Sequence, residues 1–456
     1  MTNKAFCPLP WMSLNVRNNG DVRVCCNANV STGQGLVQTP NGQNYNLGKE
    51  SLHGFRNNKL MKDIRLSMLN GEYHDACVRC KREDESGMES RASWERDIWQ
   101  HVIDENKAKS ITSDDGSIDI ESNPLRYMDL RFGNLCNLKC RMCGPTDSSQ
   151  WYDDNVLVWG DQYKDSGQTI KLVKGKNGKH KPDVDIYSWY ENDDFWSQME
   201  SEIPTIERLY IVGGEPLLIN QHYEFLQKCI DAGRSKNIVI EYNTNITNIP
   251  DRAWNIWKNF QRIQIGMSVD AVGSMNDYIR NPSKWYKIEE NMRKLDNAEG
   301  DFKVWWAATI QAYNMVHLPD MMMWKIRQKF KRINVEVQYK PIISPHPLHS
   351  PKFLNVQVFP KESKDWITDY FEKRKEQARL EIFELDLTEK EKETNYKYFC
   401  KILDQYTKFM NSEDHSENLS KFWHYTNTLD KSRNEKLKDI CEVTWRLLKG
   451  DVYGIQ

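Results

Sequence analysis

The chain has 456 residues, 63 Lys and Arg against 65 Asp and Glu, a formal net charge of −2, and 11 cysteines. This length predicts two or three packed units, and the balanced charge excludes proteins that bind nucleic acid or membrane lipid mainly through a basic surface. Mean hydropathy is −0.76, no run of about 18 apolar residues is present, and the first residues lack the layout of a secretory signal, so we expect a cytoplasmic protein without a membrane span.

The N-terminal region carries short patterns of a hairpin and a helix. Alternation in WMSLNVRNNGDVRVCC, with Asn19-Gly20 as the turn, predicts a β-hairpin. Apolar residues at helical spacing predict a helix from Ser51 to Leu69. The polar stretch from Asp104 to Asn123 predicts a linker, which we place at residues 96–124.

Five cysteines lie in this region, and four of them form two close pairs. A disulfide scaffold would be shorter and secreted, so clustered cysteines in this chain favour metal ligation by thiolates. Cys7 and Cys25 lie near the hairpin, and Cys77 and Cys80 form a CxxC pair after the helix. By spacing alone, these four thiolates suit a structural zinc ion as well as an iron–sulfur cluster. The adjacent Cys26 is an alternative to Cys25.

Strand-like runs alternate with helical patterns through the middle of the chain. The predicted strands are Tyr127–Phe132, Arg208–Val212, Ile238–Asn243, Ile263–Val269, Lys303–Ile310 and Val335–Ile342. Six such units predict a parallel sheet with helices outside it, curved or closed as a barrel. A long Trp- and Asp-rich segment at 144–207 interrupts the pattern, and its KGKNGKHK turn predicts an inserted basic hairpin. From Lys361 onwards the pattern is charged and helical.

Three cysteines follow the first of these strands. The run RFGNLCNLKCRMC places Cys136, Cys140 and Cys143 within eight residues. Three thiolates on one loop bind three irons of a [4Fe–4S] cube and leave the fourth iron open. Zinc is the competing metal, but a structural zinc site takes four ligands, and no obvious fourth ligand lies nearby in the sequence. Three ligands with a vacancy therefore favour catalysis over a structural role.

Polar motifs follow the next three strands. The second strand runs into Gly213-Gly214-Glu215-Pro216, in which the glycines allow close backbone approach and the carboxylate accepts hydrogen bonds from an ammonium group. The later motifs are Thr244-Asn245, Ser268 with Asp270, and Arg280. Each alone is typical of an ordinary turn or surface. Together they fall at the C-terminal ends of successive strands, where a parallel α/β barrel builds its active site.

The CxxxCxxC spacing, here CNLKCRMC, resembles the signature of radical S-adenosylmethionine (SAM) enzymes, in particular members with SPASM or twitch domains. The resemblance implies a partial (βα)6 TIM-type barrel over residues 125–345, with the insertion at 144–207. It further implies that Cys136, Cys140 and Cys143 hold a SAM-binding [4Fe–4S] cluster. Reduction then splits SAM into methionine and a 5′-deoxyadenosyl radical, which takes a hydrogen atom from the substrate. Met142 departs from the aromatic residue that many members place near the adenine.

The polar motifs are similar to the SAM-binding motifs of the same superfamily. In that superfamily the GGEP motif binds the amino group of SAM, and a TN pair stands at the end of the third strand. The SxD side chains lie near the ribose and carboxylate, and an arginine pairs with the carboxylate. The residues that the resemblance implies for SAM binding are Gly213, Gly214, Glu215, Pro216, Thr244, Asn245, Ser268, Asp270 and Arg280.

Residues 1–95 resemble a SPASM/twitch module, a small α+β domain. The resemblance consists of GxxxxC after a short strand, Leu47-Gly48 before a helix, the Ile64-Arg65 pair and a final CxxC. It implies an auxiliary [4Fe–4S] cluster held by Cys7, Cys25, Cys77 and Cys80. Ser86 stands where the full SPASM pattern has its next cysteine, so the twitch version with one cluster is implied. Such modules generally follow the barrel, whereas this one precedes it.

The function implied is a radical SAM enzyme that modifies a peptide or protein side chain and receives electrons from a donor such as flavodoxin or ferredoxin. Modification of a small molecule or of RNA is the alternative, and the near-zero net charge counts against RNA. A non-catalytic metal-binding interaction protein is a third hypothesis. The region 346–456 is predicted to be a helical tail, and Cys229, Cys400 and Cys441 to be structural thiols.

Overall fold

The computed structural model describes residues 3–28, 30, 33–85, 89–165, 167–333 and 342–455. The strands are β1 (Ser13–Val16), β2 (Val22–Arg23), β3 (Tyr127–Phe132), β4 (Gln162–Asp165), β5 (Gln168–Lys174), β6 (His180–Pro182), β7 (Arg208–Gly213), β8 (Val239–Thr244), β9 (Arg262–Ser268), β10 (Phe302–Ile310) and β11 (Ser344–Pro347). Among the described residues, eight strands form one sheet in the order β11-β10-β9-β8-β7-β3-β1-β2. All of its neighbouring strands pair in parallel except β2, which is antiparallel to β1.

Helices follow most of these strands and make up the C-terminal quarter of the chain. They are α1 (Leu9–Met12), α2 (Lys59–Leu69), α3 (Val78–Glu85), α4 (Arg91–Trp99), α5 (Glu105–Ile111), α6 (Tyr152–Trp159), α7 (Asp193–Ser201), α8 (Asn220–Asp231), α9 (Asp251–Trp257), α10 (Ser274–Ile279), α11 (Trp285–Asp296), α12 (Leu318–Gln328), α13 (Lys361–Glu384), α14 (Glu389–Asn411), α15 (Leu419–Arg433), α16 (Leu437–Ile440) and α17 (Glu442–Leu447). None of these helices combines the length and apolar content needed to cross a membrane.

The prediction of an α/β chain with a large parallel sheet is confirmed. Five predicted strands coincide with β3, β7, β8, β9 and β10 to within one residue at each end. The sixth predicted strand, Val335–Ile342, lies outside the described residues except for its last position. Ser86, at the expected position of a further SPASM cysteine, also lies outside them. The place beside β10 is taken by β11, which pairs with it in parallel from Ala307↔Ser344 to Ile310↔Pro347.

The two faces of the sheet differ in burial. On β10 every second side chain is buried, from Phe302 to Ile310, and those between are half-buried. The buried face joins the main hydrophobic core. Side chains on the other face include Asp129, Arg131, Arg208, Tyr210, Glu241, Asn243, Gln264, Lys303 and Trp305. Parallel sheets usually bury both faces beneath apolar layers, so this polar, partly accessible face is a place for a ligand.

The N-terminal hairpin is an extension of this sheet. β1 pairs in parallel with β3, with Asn15 opposite Asp129, and β2 completes the predicted hairpin. Gly20 turns the chain with a φ of +88°, and a Cβ there would lie 2.8 Å from the Trp189 ring. Only glycine therefore allows the turn to pack against Trp189 of the insertion.

Two local predictions in the N-terminal region differ from the structure. The predicted helix from Ser51 begins only at Lys59, because the Asn58 side chain caps it by accepting a hydrogen bond from the Leu60 N–H at 3.1 Å. The predicted linker contains α5, which begins after Asp104, whose carboxylate accepts from the Lys107 N–H at 2.8 Å. The segment is folded because capping and burial of an apolar side chain outweigh its polar composition.

The insertion forms a small unit of its own. β4, β5 and β6 make a three-stranded antiparallel sheet, and residues 175–179 join β5 to β6 as the predicted basic hairpin. Ile170, Leu172 and Tyr187 form its own small core. The predicted charged helical tail is confirmed by α13–α17, in which Thr388 and Glu391 form a capping box at the start of α14.

Candidate functional site

The loop after β3 brings three cysteines together. The thiols of Cys140 and Cys143 hydrogen-bond to each other, and Cys136 and Cys140 share a small buried cluster. Burial and the charge of Cys140 raise the pKa of Cys136 to about 12. The hydrogen bond from Cys143 lowers the pKa of Cys140, whereas that bond and burial raise the pKa of Cys143. Deprotonation of Cys136 and Cys143 therefore requires a positive partner, as a metal provides.

Backbone and side-chain contacts fix the shape of this cysteine loop (residues 133–144). The N–H of Lys139 donates to the Asn281 carbonyl at 2.7 Å, and that of Arg141 donates to the Ile279 carbonyl at 2.8 Å. The Trp151 indole N–H donates to the Cys140 carbonyl at 2.9 Å. The loop is therefore anchored to the segment after α10 and to the start of the insertion.

The glycines of the GGEP motif serve the cysteine loop directly. A Cβ on Gly214 would lie 2.6 Å from the carbonyl carbon of Asn134 and would overlap the Leu135 carbonyl oxygen. The Glu215 N–H donates to the same Leu135 carbonyl at 2.8 Å. We predicted from the sequence that this glycine pair admits a ligand. In the structure the space at Gly214 is filled by the backbone of the loop.

Glu215 is a buried carboxylate at the centre of a polar network. One oxygen accepts from the Thr244 hydroxyl at 2.7 Å and from the Leu217 N–H at 3.2 Å, and the other accepts from the Asn245 N–H at 2.8 Å. Burial raises the pKa of Glu215 to about 7, although these hydrogen bonds act in the opposite direction. A cation placed beside it restores its negative charge.

Asn245 ties this network to the cysteine loop. Its Nδ2 donates to Asn137 Oδ1 at 2.9 Å, and Asn137 Nδ2 donates to the Thr247 hydroxyl at 2.8 Å. Asn137 was not predicted as a site residue. The sequence signal that points to Asn137 is its position in CNLKC, between Cys136 and Cys140.

Asp270 and Arg280 form a second buried pair on the other side of Cys140. Arg280 Nε lies 2.7 Å from Asp270 Oδ2, and Arg280 Nη1 lies 4.0 Å from the Cys140 sulfur. Burial acts to lower the pKa of Arg280, but the charges of Asp270 and Cys140 outweigh it and raise that pKa. The guanidinium is therefore charged at any working pH.

Residues beyond the predicted motifs hold Asp270 in place. The Thr309 N–H donates to Asp270 Oδ1 at 2.8 Å, and Asn314 Nδ2 donates to the Asp270 carbonyl at 2.7 Å. Ser268 ends β9 two residues earlier and is half-buried. The structure thus gathers Thr244, Asn245, Glu215, Asp270 and Arg280 around the cysteine loop. It adds Thr309 on β10 and Asn314 four residues after that strand, a segment that was left unassigned from the sequence.

The four N-terminal cysteines line one cavity. Cys7, Cys25, Cys77 and Cys80 all line one narrow cavity of about 20 Å³. Burial raises the pKa of all four thiols, that of Cys77 to about 12. Four thiols around one space are the donor set expected for a cysteine-ligated centre.

Cys26, left as an alternative by the sequence, is not among the residues that line this cavity. Its sulfur lies 3.8 Å from the side-chain oxygen of Asn27, whereas Cys25 lines the cavity. The structure therefore favours Cys25 at this position.

Within the described part of the chain, no three His, Cys, Asp or Glu side chains converge on a point that could hold a single metal ion. Ligands of one zinc ion all lie about 2.3 Å from it, whereas in a [4Fe–4S] cube each cysteine binds a different iron. The thiol chemistry of both cysteine sets fits a cube.

The C-terminal helices enclose the cysteine loop, which sequence reasoning did not anticipate. Buried Arg141 pairs with Asp430 at 2.6 Å and Glu435 at 2.9 Å, and its guanidinium lies 3.6 Å from the centre of the Tyr278 ring. The Tyr425 hydroxyl donates to the Arg141 carbonyl at 2.6 Å. α15 is therefore part of the wall around the site.

A second cavity opens beside Cys143. It has a volume of about 450 Å³, and the insertion and the C-terminal region both line it. Its aromatic lining includes Trp159, Tyr163, Phe353 and Tyr425. This cavity gives the outer side of the cysteine loop access to solvent.

No family model and no curated protein matches the chain. Among solved structures it is similar to native anSMEcpe with bound AdoMet, at 16% identity and a TM-score of 0.31, over 46% of this chain and 51% of that chain. It is also similar to Streptococcus suis SuiB bound to S-adenosylmethionine, at 15% identity and a TM-score of 0.31, over 69% of this chain and 64% of that chain. The chain thus spans about half of the anSMEcpe chain and less than two thirds of this SuiB chain. Likenesses this weak assign no function, so the functional conclusion depends on the site itself.

Proposed function

We propose that this protein is a radical SAM enzyme, in which Cys136, Cys140 and Cys143 hold a [4Fe–4S] cluster with one iron left for SAM. The observation that carries the proposal is the contact of three thiols on one loop, flanked by the buried carboxylate of Glu215 and the buried guanidinium of Arg280. When bound there, the cluster supplies the electron that splits SAM into methionine and a 5′-deoxyadenosyl radical, which takes a hydrogen atom from the substrate.

Glu215 binds the ammonium group of SAM in this proposal. Its two oxygens already accept from Thr244 and Asn245, so its orientation is fixed before SAM arrives. The ammonium charge offsets the burial that raises the pKa of Glu215 to about 7. Through Asn137, the ammonium site and the cysteine loop form one hydrogen-bonded unit.

Arg280 pairs with the carboxylate of SAM. Its guanidinium lies beside the Cys140 sulfur, and Asp270 holds it at 2.7 Å. An arginine–carboxylate pair is strong and directional because two parallel hydrogen bonds form. Ammonium and carboxylate of one amino acid are thereby recognised by opposite charges on opposite sides of the cysteine loop.

We further propose an auxiliary [4Fe–4S] cluster on Cys7, Cys25, Cys77 and Cys80, because these four thiols line one cavity. The proposed units are the twitch-like module at 1–95, a connection at 96–124, a partial barrel at 125–345 and the helical region at 346–456. The substrate is proposed to be a peptide or protein side chain, with a flavodoxin or ferredoxin as electron donor. The partly accessible polar face of the sheet offers the room that such a substrate needs.

The test is anaerobic purification and reconstitution, followed by iron and sulfide counts and an assay for 5′-deoxyadenosine with SAM and a reductant. We expect about eight irons per chain for two cubes and SAM-dependent release of 5′-deoxyadenosine. Cys143→Ala should abolish this release. Cys400→Ala is the matched control, since Cys400 lies on α14, away from both cysteine sets, and should change neither iron content nor cleavage.

The outcomes separate this function from the alternatives. Cys80→Ala should remove about half of the iron while the SAM-cleaving cluster remains. A colourless protein that binds zinc, or a brown protein that never releases 5′-deoxyadenosine, contradicts the proposal and favours a non-catalytic metal protein.

A further inference from the structure

An arginine–aspartate–arginine triad lies on the polar face of the sheet. Arg23 comes from β2, and Asp129 and Arg131 come from β3. Asp129 is 0% exposed, and its carboxylate lies 3.7 Å from Arg23 Nη2 and 3.5 Å from Arg131 Nε. These separations exceed ordinary hydrogen bonds between charged groups, which are about 2.8 Å. The three charged groups are therefore close to one another without hydrogen bonds between them.

The triad leaves several buried polar atoms without hydrogen bonds. Counting only partners within the described chain, both Asp129 oxygens, Arg23 Nε and Nη2, and Arg131 Nε have none. Buried charged groups in native proteins are almost always fully hydrogen-bonded, because an unpaired buried charge costs several kcal/mol. A group that approaches the triad and accepts hydrogen bonds would satisfy the arginine donors.

The charge balance defines what that group is. Two guanidiniums against one carboxylate leave one positive charge. The nearest further carboxylate on this face, Glu241, is already paired with Arg208. The missing partner is thus an anion. A carboxylate fits best among groups carried by a peptide, because its two oxygens accept from two guanidiniums at once.

The rest of the face suits a polar ligand that enters from solvent. One row of side chains crosses the sheet in register through Asn15, Asp129, Tyr210, Glu241, Gln264 and Lys303. The side chain of Arg131 is 32% exposed, so the triad is reached from outside. The Asn15 side-chain oxygen also lacks a hydrogen bond within the described chain. A ligand here is met by donors and acceptors from several strands.

The triad lies between the two cysteine sets. Arg131 precedes Cys136 by five residues at the end of β3. Arg23 Nη1 donates to the Cys26 carbonyl at 3.3 Å, next to the cavity lined by Cys25. A group held by both arginines is therefore placed beside the proposed auxiliary cluster and on the strand that leads into the cysteine loop.

We infer that Arg23 and Arg131 bind a carboxylate of the peptide substrate on this face of the sheet. Asp129 lies within 4 Å of both guanidiniums, offsets part of their positive charge and does not itself touch the carboxylate. The inference rests on the proposed function and adds to it the substrate class, a peptide with an acidic side chain or a free C-terminus.

The probe is a set of randomised pentapeptide pools, added to the reconstituted holoprotein with SAM and recovered by ultrafiltration and mass spectrometry. Two pools are acetylated and amidated, with Asp or Asn at the centre, and a third carries central Asn with a free C-terminus. The wild type should retain the Asp pool at least tenfold over the amidated Asn pool. Arg131→Gln and Arg23→Gln should each reduce this ratio to below twofold. Asp129→Asn should maintain or increase it, because an opposing negative charge is removed.

Arg262→Gln is the matched control, since Arg262 lies at the start of β9 and pairs with Asp301 at 2.8 Å. This variant should retain the Asp pool over the amidated Asn pool by the same ratio as the wild type. Retention of the free-C-terminus pool in place of the Asp pool supports the inference with the chain terminus as the source of the carboxylate. Equal retention of all pools, retention of none, or an unchanged ratio in Arg131→Gln overturns it. Iron content and 5′-deoxyadenosine release from the same samples report separately on the proposed function, so a SAM-cleaving protein without carboxylate preference refutes only the inference.

Discussion

The ionisation of Glu215 should make SAM binding depend on pH near neutrality. Glu215 is 3% exposed, and this burial raises the pKa of its carboxylate to about 7. Only the ionised carboxylate attracts the ammonium group of SAM. About one tenth of the free protein carries that charge at pH 6 and about nine tenths at pH 8. The affinity for SAM should therefore rise about tenfold over this range, or about 1.4 kcal/mol.

The measurement is equilibrium dialysis of reconstituted wild type and Glu215→Gln with labelled SAM between pH 6 and pH 8. The glutamine variant has no charge to gain, so we expect weaker binding without a slope. Glu202→Gln serves as the control, because Glu202 is also buried but pairs with His53 at 3.0 Å and should leave the slope intact. A wild-type affinity that is constant over this range, or a slope that persists in Glu215→Gln, refutes the reasoning.

The same pKa has an effect on stability with a defined sign. Because the pKa in the folded protein lies above the ordinary value of 4.5, the folded state binds more protons than the unfolded state between about pH 4.5 and pH 7. The free energy of unfolding of the wild type should thus fall relative to Glu215→Gln as pH rises through that window, by at most about 3 kcal/mol. Saturating SAM should reverse this fall, because its ammonium group lowers the pKa again.

Four further substitutions test the wall around the site and the N-terminal cavity. Gly214→Ala, whose Cβ would fall within 2.6 Å of the cysteine-loop backbone, should cost about half of the iron and all SAM cleavage, read from iron counts and 5′-deoxyadenosine. Asp430→Ala removes one partner of buried Arg141 and should lower the free energy of unfolding by about 3 kcal/mol, measured by denaturant unfolding. A smaller decrease in that free energy contradicts a buried ion pair. Cys25→Ala should remove the N-terminal half of the iron, whereas Cys26→Ala should not, and the reverse result assigns the ligand to Cys26.

Local patterns predicted those parts of the fold that local patterns determine. The strands β3, β7, β8, β9 and β10 were found because each alternates or clusters apolar residues over six or more positions. The hairpin turn was found from Asn-Gly. The start of α2 was not, because apolar spacing continues through residues 51–58 and only the Asn58 cap marks the true beginning.

Contacts between distant segments could not be predicted from the sequence. β1 pairs with β3 across more than 100 residues, and no property of either strand names its partner. Arg141 and Asp430 meet across 289 positions, so the C-terminal helices gave no sign that they enclose the cysteine loop. The contact of Gly214 with the cysteine loop was not predicted either, since a close approach by the protein's own backbone and one by a ligand require the same residue.

One signal was present in the strands and was not used. Strands that lie between two apolar layers are nearly continuous in apolar residues, whereas YMDLRF, RLYIVG and VIEYNT alternate. Alternation in a parallel sheet means that one face meets something other than a helix layer. Asp129 and Arg131 share that face, and both have buried charged atoms without hydrogen bonds. The folded protein must offset this unfavourable free energy by other interactions, or a ligand must supply the missing hydrogen bonds. Because β3 carries these two side chains and runs directly into the cysteine loop, a ligand that completes the triad binds on the strand that also positions the three thiols.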